Sequence, residues 1–266
     1  MTTLSQHESH DVVRLLCLAQ SGAGKTGALA ALANAGLRLF ILDFDNGVSV
    51  LRRYVKPEFK DNVHFVTLRD QMKLVGARVG ITKASAFQRA MDLLDNGKDW
   101  GVPGIGGVST FSPRDVLVTD TLSEMGKASL RMVMQANAAG FKAPEIQHYG
   151  TAMDNLSKYL DIITSDALHC HVIVNTHITT TEGDPRPYPA ALGSKLPPDV
   201  PKFFDNMVGL SISGGVRKFK TNKDGLLMLK TAAQCKDEYP IETGFLDIFR
   251  AITGKDNLLE GLEAAA

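Results

Sequence analysis

Residues 19–26, AQSGAGKT, form a glycine-rich segment that ends in a lysine and a hydroxyl residue. Gly22 and Gly24 allow a tight turn whose backbone N–H groups point inward, and the helix start beside such a turn attracts a polyphosphate. Lys25 can reach the β- and γ-phosphates, and the Thr26 hydroxyl can hold Mg²⁺. The segment therefore predicts a nucleotide site. Its binding residues are Ser21, Gly22, Ala23, Gly24, Lys25 and Thr26.

Ala19 departs from the phosphate-loop pattern G-x-x-x-x-G-K-[ST], which begins with glycine. A methyl group costs little at a backbone position with negative φ, but it is strained where φ is positive. The flanking sequence meets the structural requirement of the pattern, because an apolar run precedes the loop and a helical pattern follows it. The alternative is a glycine-rich turn in which Gly24-Lys25-Thr26 is incidental.

Asp120 is a second candidate, because it ends the apolar run VLVTD. A carboxylate at the carboxyl end of a buried parallel strand faces the crevice in which ligands bind in open α/β sheets. Asp120 is therefore the predicted partner of Thr26 in holding Mg²⁺, the usual Walker B arrangement. The alternative is that Asp120 caps the following helix, although Thr121 or Ser123 could serve as that cap.

A water that attacks a phosphate needs a carboxylate to orient it, and the residue after Asp120 is a threonine rather than a glutamate. The acidic residues Asp43 and Asp45 end another apolar strand, and residues two apart on an extended chain point to the same side. We take Asp45 as the catalytic base, with Asp43 supporting the base or the metal, and the choice between the two stays open. The pair could instead start a turn, and Glu124 is a weaker alternative base.

Short apolar runs alternate with helical patterns along the chain, which predicts an α/β fold with a mostly parallel sheet flanked by helices. The predicted strands are residues 12–18, 37–42, 63–68, 116–119, 170–175, 208–212, 216–220 and 226–231, and the predicted helices are 24–35, 84–94, 122–138, 148–167 and 244–252. The last three strands are partly linked as hairpins, which indicates an antiparallel extension at one edge.

The length suits a single domain over residues 1–266. Within it we expect a flexible N-terminus at 1–11, a tail at 254–266 and a loop at 97–115. Residues 178–200 are mostly polar and hold five prolines. We therefore expect a long irregular loop over 178–202, and loops of that length are usually functional or disordered.

The composition limits the partners that the chain can bind. Lys plus Arg and Asp plus Glu both number 29, so contact with a nucleic acid must come from a local patch. Cys17, Cys170 and Cys235 lie far apart and predict neither a disulfide framework nor a zinc site. We find no signal peptide and no membrane span, which predicts a cytoplasmic protein.

The segments LCLAQSGAGKT, LFILDFDNG, VLVTDT and HVIVNTHI occur in the order expected of a RecA-like ATPase core, and the chain resembles that family over most of residues 12–235. The resemblance implies a RecA-like P-loop NTPase fold with ATP and Mg²⁺ as cofactors. It puts Asp45 in the position of the base, where the family usually has glutamate. It puts His177, or Asn175 or Thr176 beside it, in the position that senses the γ-phosphate.

A closer resemblance is to small phage-type ATP-binding proteins built on this core, which include single-strand annealing recombinases. It rests on HYGTAMDNLSKYLDII before the sensor strand, on a histidine shortly after that strand, and on FFDNMVGL after a Gly/Pro-rich loop. It implies single-stranded DNA as a partner, a homo-oligomer that is a ring or a filament, and a host cytoplasm for a phage-encoded chain.

In recombinases of this kind, DNA-binding loops follow the Walker B and sensor strands, and residues 178–202 take the second of these places. A single strand needs positive groups for its phosphates and flat groups for its bases. The candidate DNA-binding residues are Arg186, Lys195 and Lys202, with Tyr188 as the flat group. A solvated surface loop is the alternative.

RecA-like ATPases commonly complete their site with a basic residue from the neighbouring subunit, which stabilises transition-state charge. Arg217, Lys218 and Lys220 form a strand-like run that could supply it, and the two lysines would share one face. Lys230 and Lys236 are further candidates, and a solvated strand face is the alternative. A contact of this kind makes a head-to-tail interface, which builds a ring or a filament.

The sequence thus predicts an Mg²⁺-dependent ATPase of DNA recombination or annealing, stimulated by single-stranded DNA. A small-molecule kinase that acts on a nucleoside or nucleotide is the first alternative, although Arg186 and two lysines are few for the basic lid of a kinase. A nucleotide-gated scaffold with little turnover is the second alternative.

Overall fold

The structure is a computed structural model that describes residues 12–260 except 77, 96–99, 223–224 and 226. Its strands are β1 Arg14–Ala19, β2 Arg38–Asp43, β3 Val63–Thr67, β4 Gln71–Val75, β5 Arg78–Lys83, β6 Asp115–Asp120, β7 His171–Thr176, β8 Ile178–Thr181, β9 Asp184–Pro189, β10 Asn206–Ser213, β11 Val216–Lys220 and β12 Glu238–Pro240. Its α-helices are α1 Lys25–Ala28, α2 Ala30–Asn34, α3 Ala86–Leu94, α4 Leu122–Ala136, α5 Ile146–Thr164 and α6 Gly244–Thr253.

Eight of these strands form one mixed sheet in the order β12-β11-β10-β1-β7-β6-β2-β3. The six strands from β10 to β3 pair in parallel, while β11 and β12 add to the β10 edge in antiparallel fashion. The architecture predicted from the sequence is confirmed: this is an α/β fold with a mostly parallel sheet, flanking helices and an antiparallel edge. The carboxyl ends of β1, β7, β6 and β2 therefore meet along one edge of the sheet.

Both faces of the sheet are covered by apolar side chains and helices. Successive side chains of a strand point to opposite faces, so Leu16 and Leu18 of β1 join one core cluster, which includes residues of α3, α4 and α5. Leu15 and Cys17 join the other cluster, which includes residues of α1, α2 and α6. A strand that is buried on both sides reads as a continuous apolar run, and this is the pattern of residues 15–18.

The helix predicted over residues 24–35 is interrupted at Leu29. The Leu29 N–H bonds to the Thr26 carbonyl, three residues back, at 3.2 Å, so one tighter turn separates α1 from α2. Gly36 has a φ of +91° and ends the helical segment, as the sequence predicted.

Residues 178–202 are not a long irregular loop, which corrects the prediction. They begin with the hairpin β8–β9, and a 3-10 turn, Val200–Phe203, follows. The prolines of β9 occupy every second position, 185, 187 and 189, so the N–H groups they lack all belong to one side of the strand. A two-stranded ribbon has a free edge on that side, where proline is tolerated.

Two further differences from the predicted elements concern hairpins. The sequence did not reveal β4–β5, a two-stranded ribbon between β3 and α3. The strand predicted over 226–231 is also wrong, since the residues described there form no strand, and Leu227 and Lys230 take part only in isolated bridges, that of Lys230 with Met207. The physical reason is that β11 already occupies the edge of β10 from Gly209 onward.

Some predictions lie outside the described residues, namely the flexible N-terminus at 1–11 and the end of the tail at 261–266. Three additional 3-10 segments, Val48–Arg53, Pro57–Asn62 and Val108–Thr110, belong to the connections between strands. None of the helices in the described part of the chain combines the length and apolar character needed to cross a bilayer.

Candidate functional site

The phosphate loop joins β1 to α1 at the carboxyl edge of the sheet. Gly22 and Gly24 have φ values of +76° and +107°, in the left-handed region that glycine adopts without strain. Ala19 ends β1 and is fully buried. It is not among the described non-glycine residues with positive φ, which are Asn46 and Ala138. The methyl group at the first position of the pattern is therefore unstrained.

Lys25 begins α1 and is almost fully buried. Its Nζ donates to the carbonyl oxygens of Ala19 and Gln20 at 3.5 and 3.3 Å, and it lies 3.2 Å from Nδ1 of His177. Since an ammonium group can only donate, Nδ1 accepts and the imidazole proton belongs on Nε2. Burial lowers the pKa of Lys25. These partners leave the ammonium without a carboxylate and available to a phosphate oxygen.

Thr26 and Asp120 meet in the crevice. The Thr26 hydroxyl donates to Oδ2 of Asp120 over 2.5 Å, and the Asn175 amide donates to Oδ1 over 3.1 Å. Burial raises the pKa of Asp120 to about 6, although these two hydrogen bonds oppose the shift. Oδ1 of Asn175 has no hydrogen-bond partner among the described residues. Hydroxyl, carboxylate and amide oxygens are ligands that Mg²⁺ accepts, so the residues present fit the predicted metal.

Asp43 and Asp45 do not point to one side, contrary to the prediction. Strand β2 ends at Asp43, and the next two N–H groups both bond to the Asp120 carbonyl, at 2.7 and 3.2 Å, so the extended geometry stops there. Asp43 is fully buried and accepts from the Gly47 N–H at 3.0 Å and the Thr67 hydroxyl at 3.4 Å. Asp43 therefore braces a turn, and neither a base nor a metal role follows from its contacts.

Asp45 lies in the crevice instead. The Thr121 hydroxyl donates to its Oδ1 at 3.1 Å, and Nε2 of His177 lies 3.6 Å from its Oδ2. Thr121 is fully buried and occupies the N-cap position of α4, so Asp120 does not cap that helix. Glu124, the alternative base, forms an ion pair with Lys127 on the surface of α4. The geometry favours Asp45 over both other carboxylates.

A cavity of about 590 Å³ connects these groups, a volume typical of small-ligand sites. Every predicted binding residue of the phosphate loop lines it except Ala23, whose side chain is buried in the core. Asp45, His177, Tyr54 and Ile241 are among its other lining residues. The predicted catalytic and phosphate-binding residues thus surround one cavity, with Asp120 buried beside it.

A family model described as an AAA domain matches residues 12–232. The chain belongs to this family of AAA domains. The match spans the phosphate loop and the four strands whose carboxyl ends form the crevice, which makes this an ATPase-type P-loop domain. No curated protein matches the chain.

Several solved structures are similar to this chain. RadB recombinase matches over 87% of this chain and 89% of its own, at 13% identity and a TM-score of 0.45. A type III secretion system ATPase of pathogenic bacteria matches over 75% and 52%, at 14% identity and a TM-score of 0.45. EscN from enteropathogenic E. coli, solved with its central stalk EscO, matches over 75% and 42%, at 12% identity and a TM-score of 0.43. The chain spans about half or less of these two secretion ATPases, so its function has to be argued from the site.

Arg217, a candidate for action on a neighbouring subunit, lies over the phosphate loop of its own chain. Its Nη2 donates to the Gly22 carbonyl at 3.4 Å, and the residue lines the nucleotide cavity. Lys218 and Lys220 share one strand face, as predicted, and both bond to Glu238 on β12. These lysines lower the pKa of Glu238 to about 2. The run therefore divides into one residue at the nucleotide cavity and two that are held by a carboxylate.

Lys230 and Lys236 are the further candidates for action on a neighbouring subunit. The contacts described below are made by their backbone groups. Lys230 forms the isolated bridge to Met207. The N–H of Lys236 bonds to the Tyr239 hydroxyl at 3.0 Å, and its carbonyl accepts from Thr221. These contacts join the segment after β11 to the sheet edge and give no further reason to choose either lysine.

The candidate DNA-binding residues lie on β9 and on the segment that follows it. Arg186 donates to both carboxylate oxygens of Asp184, at 2.5–3.0 Å, and stacks over the Tyr188 ring at 5.7 Å. The hydrogen bonds from Arg186 hold the pKa of Asp184 well below its usual range. Lys202 lies 3.5 Å from Asp199, and Lys195 is exposed. The charges of Arg186 and Lys202 are thus partly neutralised within their own segment.

The sequence did not reveal how three residues contribute to the site. Thr121 was noted as a possible helix cap and as the residue that stands where a glutamate was sought, yet its hydroxyl holds Asp45. Tyr54 and Ile241 line the cavity from segments far from any motif. A hydroxyl directly after Asp120 could have suggested a hydrogen-bond donor to the base, whereas nothing in the sequence indicates where the other two lie.

Proposed function

We propose that the protein is an Mg²⁺-dependent ATPase that binds single-stranded DNA as a homo-oligomer and acts in DNA recombination or strand annealing. The observation that carries the ATPase part is the grouping of Lys25, Asp45 and His177 around one cavity, beside the hydrogen-bonded Thr26 and Asp120. A host cytoplasm suits the proposal if the chain is phage-encoded.

The phosphate loop and Lys25 would hold the β- and γ-phosphates. The loop offers backbone N–H groups at a helix start, which stabilise negative charge. Among the described residues, the hydrogen-bond partners of Lys25 are carbonyl and imidazole groups, which a phosphate oxygen can replace. Thr26 and Asp120 would hold Mg²⁺, which neutralises charge on the phosphates and orients them.

Asp45 would accept the proton of the attacking water. Its carboxylate borders the cavity and is about a quarter exposed, so water can reach it. The Thr121 hydroxyl fixes one carboxylate oxygen and leaves the other for the water. His177 lies between Lys25 and Asp45, where a γ-phosphate oxygen and the imidazole would be in contact. This arrangement supports His177 as the residue that detects the γ-phosphate.

The DNA part of the proposal is supported by the connection between His177 and the hairpin β8–β9. The Ala190 N–H, at the end of the hairpin, bonds to the His177 carbonyl at 2.7 Å, and the Thr176 hydroxyl bonds to the Ala190 carbonyl at 2.5 Å. A change at His177 therefore acts directly on the base of the hairpin. Arg186, Lys195 and Lys202 would contact the strand from there.

The proposal of an oligomer rests on which basic residues of β11 contact the nucleotide cavity of their own chain. Arg217 serves the cavity of its own chain, so the cation from the neighbour would be Lys218 or Lys220, after release from Glu238. An interface of this kind is head-to-tail and builds a ring or filament.

The test is the ATPase rate with and without single-stranded DNA, together with DNA binding at several salt concentrations. We expect stimulation by single strands and affinity that falls with salt. Phosphate transfer to a nucleoside or nucleotide would contradict the proposal in favour of a kinase. ATP binding without turnover or DNA affinity would contradict it in favour of a nucleotide-gated scaffold.

A further inference from the structure

A second cavity borders the 3-10 segment Val48–Arg53, which also borders the nucleotide cavity. Its volume is about 410 Å³, within the range of small-ligand sites. Val50 lines the nucleotide cavity, whereas Leu51 and Arg52 line this one. We call it the β3-edge cavity, because its outer wall is Phe65 of β3, the last strand of the sheet. No motif of the sequence pointed to it.

The charge of the β3-edge cavity is of one sign. Among the described residues that line it, the only charged ones are Arg52 and Lys60. Both are exposed, and neither is paired with a carboxylate in the part of the chain that the structure describes. Two unpaired cations at one rim select an anion and disfavour a basic ligand. Glu58 and Asp61 lie in the neighbouring 3-10 segment, outside the lining.

The rest of the lining suits a flat apolar group. Phe65 is 51% exposed, so the face of its ring is open to a ligand. Leu51 and Val55 form a buried floor behind it. An aromatic face beside an apolar floor takes a nucleobase by stacking, and stacking tolerates any base. An anion and a flat ring within one cavity are the chemistry of a nucleotide.

We propose that the β3-edge cavity binds one nucleotide unit of a single DNA strand, with the base against Phe65 and the phosphate at Arg52 and Lys60. This inference rests on the proposed function, because it adds a contact point for the same strand. It differs from the contact points on residues 178–202, where Arg186 and Lys202 already have carboxylate partners. The strand would thus be held by cations that have no partner of their own.

The test measures binding of a fluorescent oligothymidylate to the full-length protein at several salt concentrations. We expect the double variant R52A/K60A to bind more weakly and to flatten the slope of log affinity against log salt by about 0.7, the value of one single-strand phosphate contact. The matched control R114A/K158A removes the same charge from other exposed sites and should leave the slope unchanged. Binding of a fluorescent ATP analogue reports that each variant is folded.

Phe65 is tested separately from the cations. Phe65→Leu keeps an apolar side chain but removes the flat ring, and we expect about five- to tenfold weaker binding of the oligonucleotide. Phe65→Tyr keeps the ring and should restore wild-type affinity. A role in folding alone would not distinguish these two variants in this way.

The outcomes separate this inference from the proposed function. If the wild-type protein does not bind the oligonucleotide at all, both are overturned. If it binds and the R52A/K60A and Phe65→Leu variants bind equally well with an unchanged salt slope, only the β3-edge cavity is overturned. Thymidine monophosphate is the last comparison. If the variants lose the mononucleotide but keep the oligonucleotide, the cavity is a site for a free nucleotide, and the assignment to a strand is wrong.

Discussion

The nucleotide crevice and the hairpin β8–β9 both carry several charged residues, but they hold them differently. In the crevice, Lys25 bonds to carbonyls and an imidazole, and Asp120 bonds to a hydroxyl and an amide. On the hairpin, Arg186 and Asp184 satisfy each other directly. The charges of the crevice remain available to a ligand, whereas Arg186 and Asp184 of the hairpin largely neutralise each other.

The cause of this difference is the sequence distance between the partners. The crevice takes its side chains from the ends of four parallel strands, so neutral groups from one strand can hold a charge from another at a fixed distance. On a single strand, residues two apart lie on the same side, and Arg186 reaches Asp184 without any help from the fold. A charged group that acts on a ligand needs neutral hydrogen-bond partners from other strands. Opposite charges that are close in sequence tend to neutralise each other.

Lys25→Ala gives the largest expected effect, because it removes the central cation of the crevice. We expect nucleotide binding to be lost or turnover to fall by about 10²–10³-fold or more, since a group aimed at developing phosphate charge contributes that much. The measurements are the affinity for a fluorescent ATP analogue and the ATPase rate. Lys158→Ala, on the exposed face of α5, is the matched control. Wild-type turnover in Lys25→Ala would show that the crevice is not the ATPase site.

Asp45→Asn separates binding from chemistry within the crevice. We expect ATP affinity close to that of the wild type and hydrolysis about 10²-fold slower, because a general base contributes roughly 10²–10⁴-fold. Single-turnover hydrolysis at saturating ATP measures the step. Asp43→Asn is the informative comparison, since Asp43 bonds to Gly47 and Thr67 and does not itself line the cavity. If Asp45→Asn hydrolyses at the native rate, the base is another residue.

Asp120→Asn tests how much the buried Asp120 carboxylate destabilises the folded protein when no Mg²⁺ is bound. Burial raises the pKa of Asp120 from its ordinary 3.8 to about 6, so between these two pH values the folded protein holds a proton that the unfolded chain has lost. Without Mg²⁺ the free energy of unfolding should therefore fall as pH rises from about 4 to about 6, by on the order of 3 kcal/mol, and then stay flat. Asp120→Asn should lose this decline.

Chemical denaturation in a chelating buffer between pH 4 and 8 measures that difference. Asp161→Asn, at an exposed position of α5, is the matched control and should follow the wild-type curve. An Asp120→Asn protein with the wild-type pH dependence would mean that other buried groups cause the decline.

The fold and the core of the crevice could be predicted because their signals are local. Residues 15–18 are apolar on both faces, as expected of a buried strand, and the strand–loop–helix context of AQSGAGKT needed no tertiary information. The direction of Asp45 could not be predicted. It depends on the two N–H groups that bond to the Asp120 carbonyl across neighbouring strands, and such a contact leaves no trace in spacing.

The hairpin β10–β11 was predicted, but the hairpin β8–β9, the ribbon β4–β5 and the run at 226–231 were not predicted correctly. The prolines of residues 178–202 suggested irregular structure, yet Pro185, Pro187 and Pro189 fall on the unpaired side of β9. The run at 226–231 has the composition of a strand, but β11 had already taken most of the edge it would use. Strand formation depends on a free partner, and the sequence does not record which edges are free.

Arg217→Ala tests whether the charged run on β11 belongs to its own crevice or to a neighbour's. Arg217 contacts the phosphate loop of the same chain, so we expect about tenfold weaker ATP binding even for dilute protein, in line with roughly 1.5–3 kcal/mol for a hydrogen bond to a charged group. Lys218→Ala should keep affinity and affect only turnover in the assembled protein. Activity regained on mixing Arg217→Ala with Lys25→Ala subunits would contradict the contact within one chain.

The smallest effect we predict is at the hairpin β8–β9. Its direction tests whether the charges of the hairpin, unlike those of the crevice, neutralise each other. Arg186→Ala should change DNA affinity little, because Asp184 already neutralises that cation and has its own pKa lowered by it. Asp184→Asn should instead release Arg186 and strengthen DNA binding by about threefold at moderate salt, the scale of one added phosphate contact. Titration of a labelled single strand at two salt concentrations measures both. If Arg186→Ala weakens binding strongly while Asp184→Asn does nothing, the pair opens on its own when DNA arrives, and mutual neutralisation does not distinguish the hairpin from the crevice.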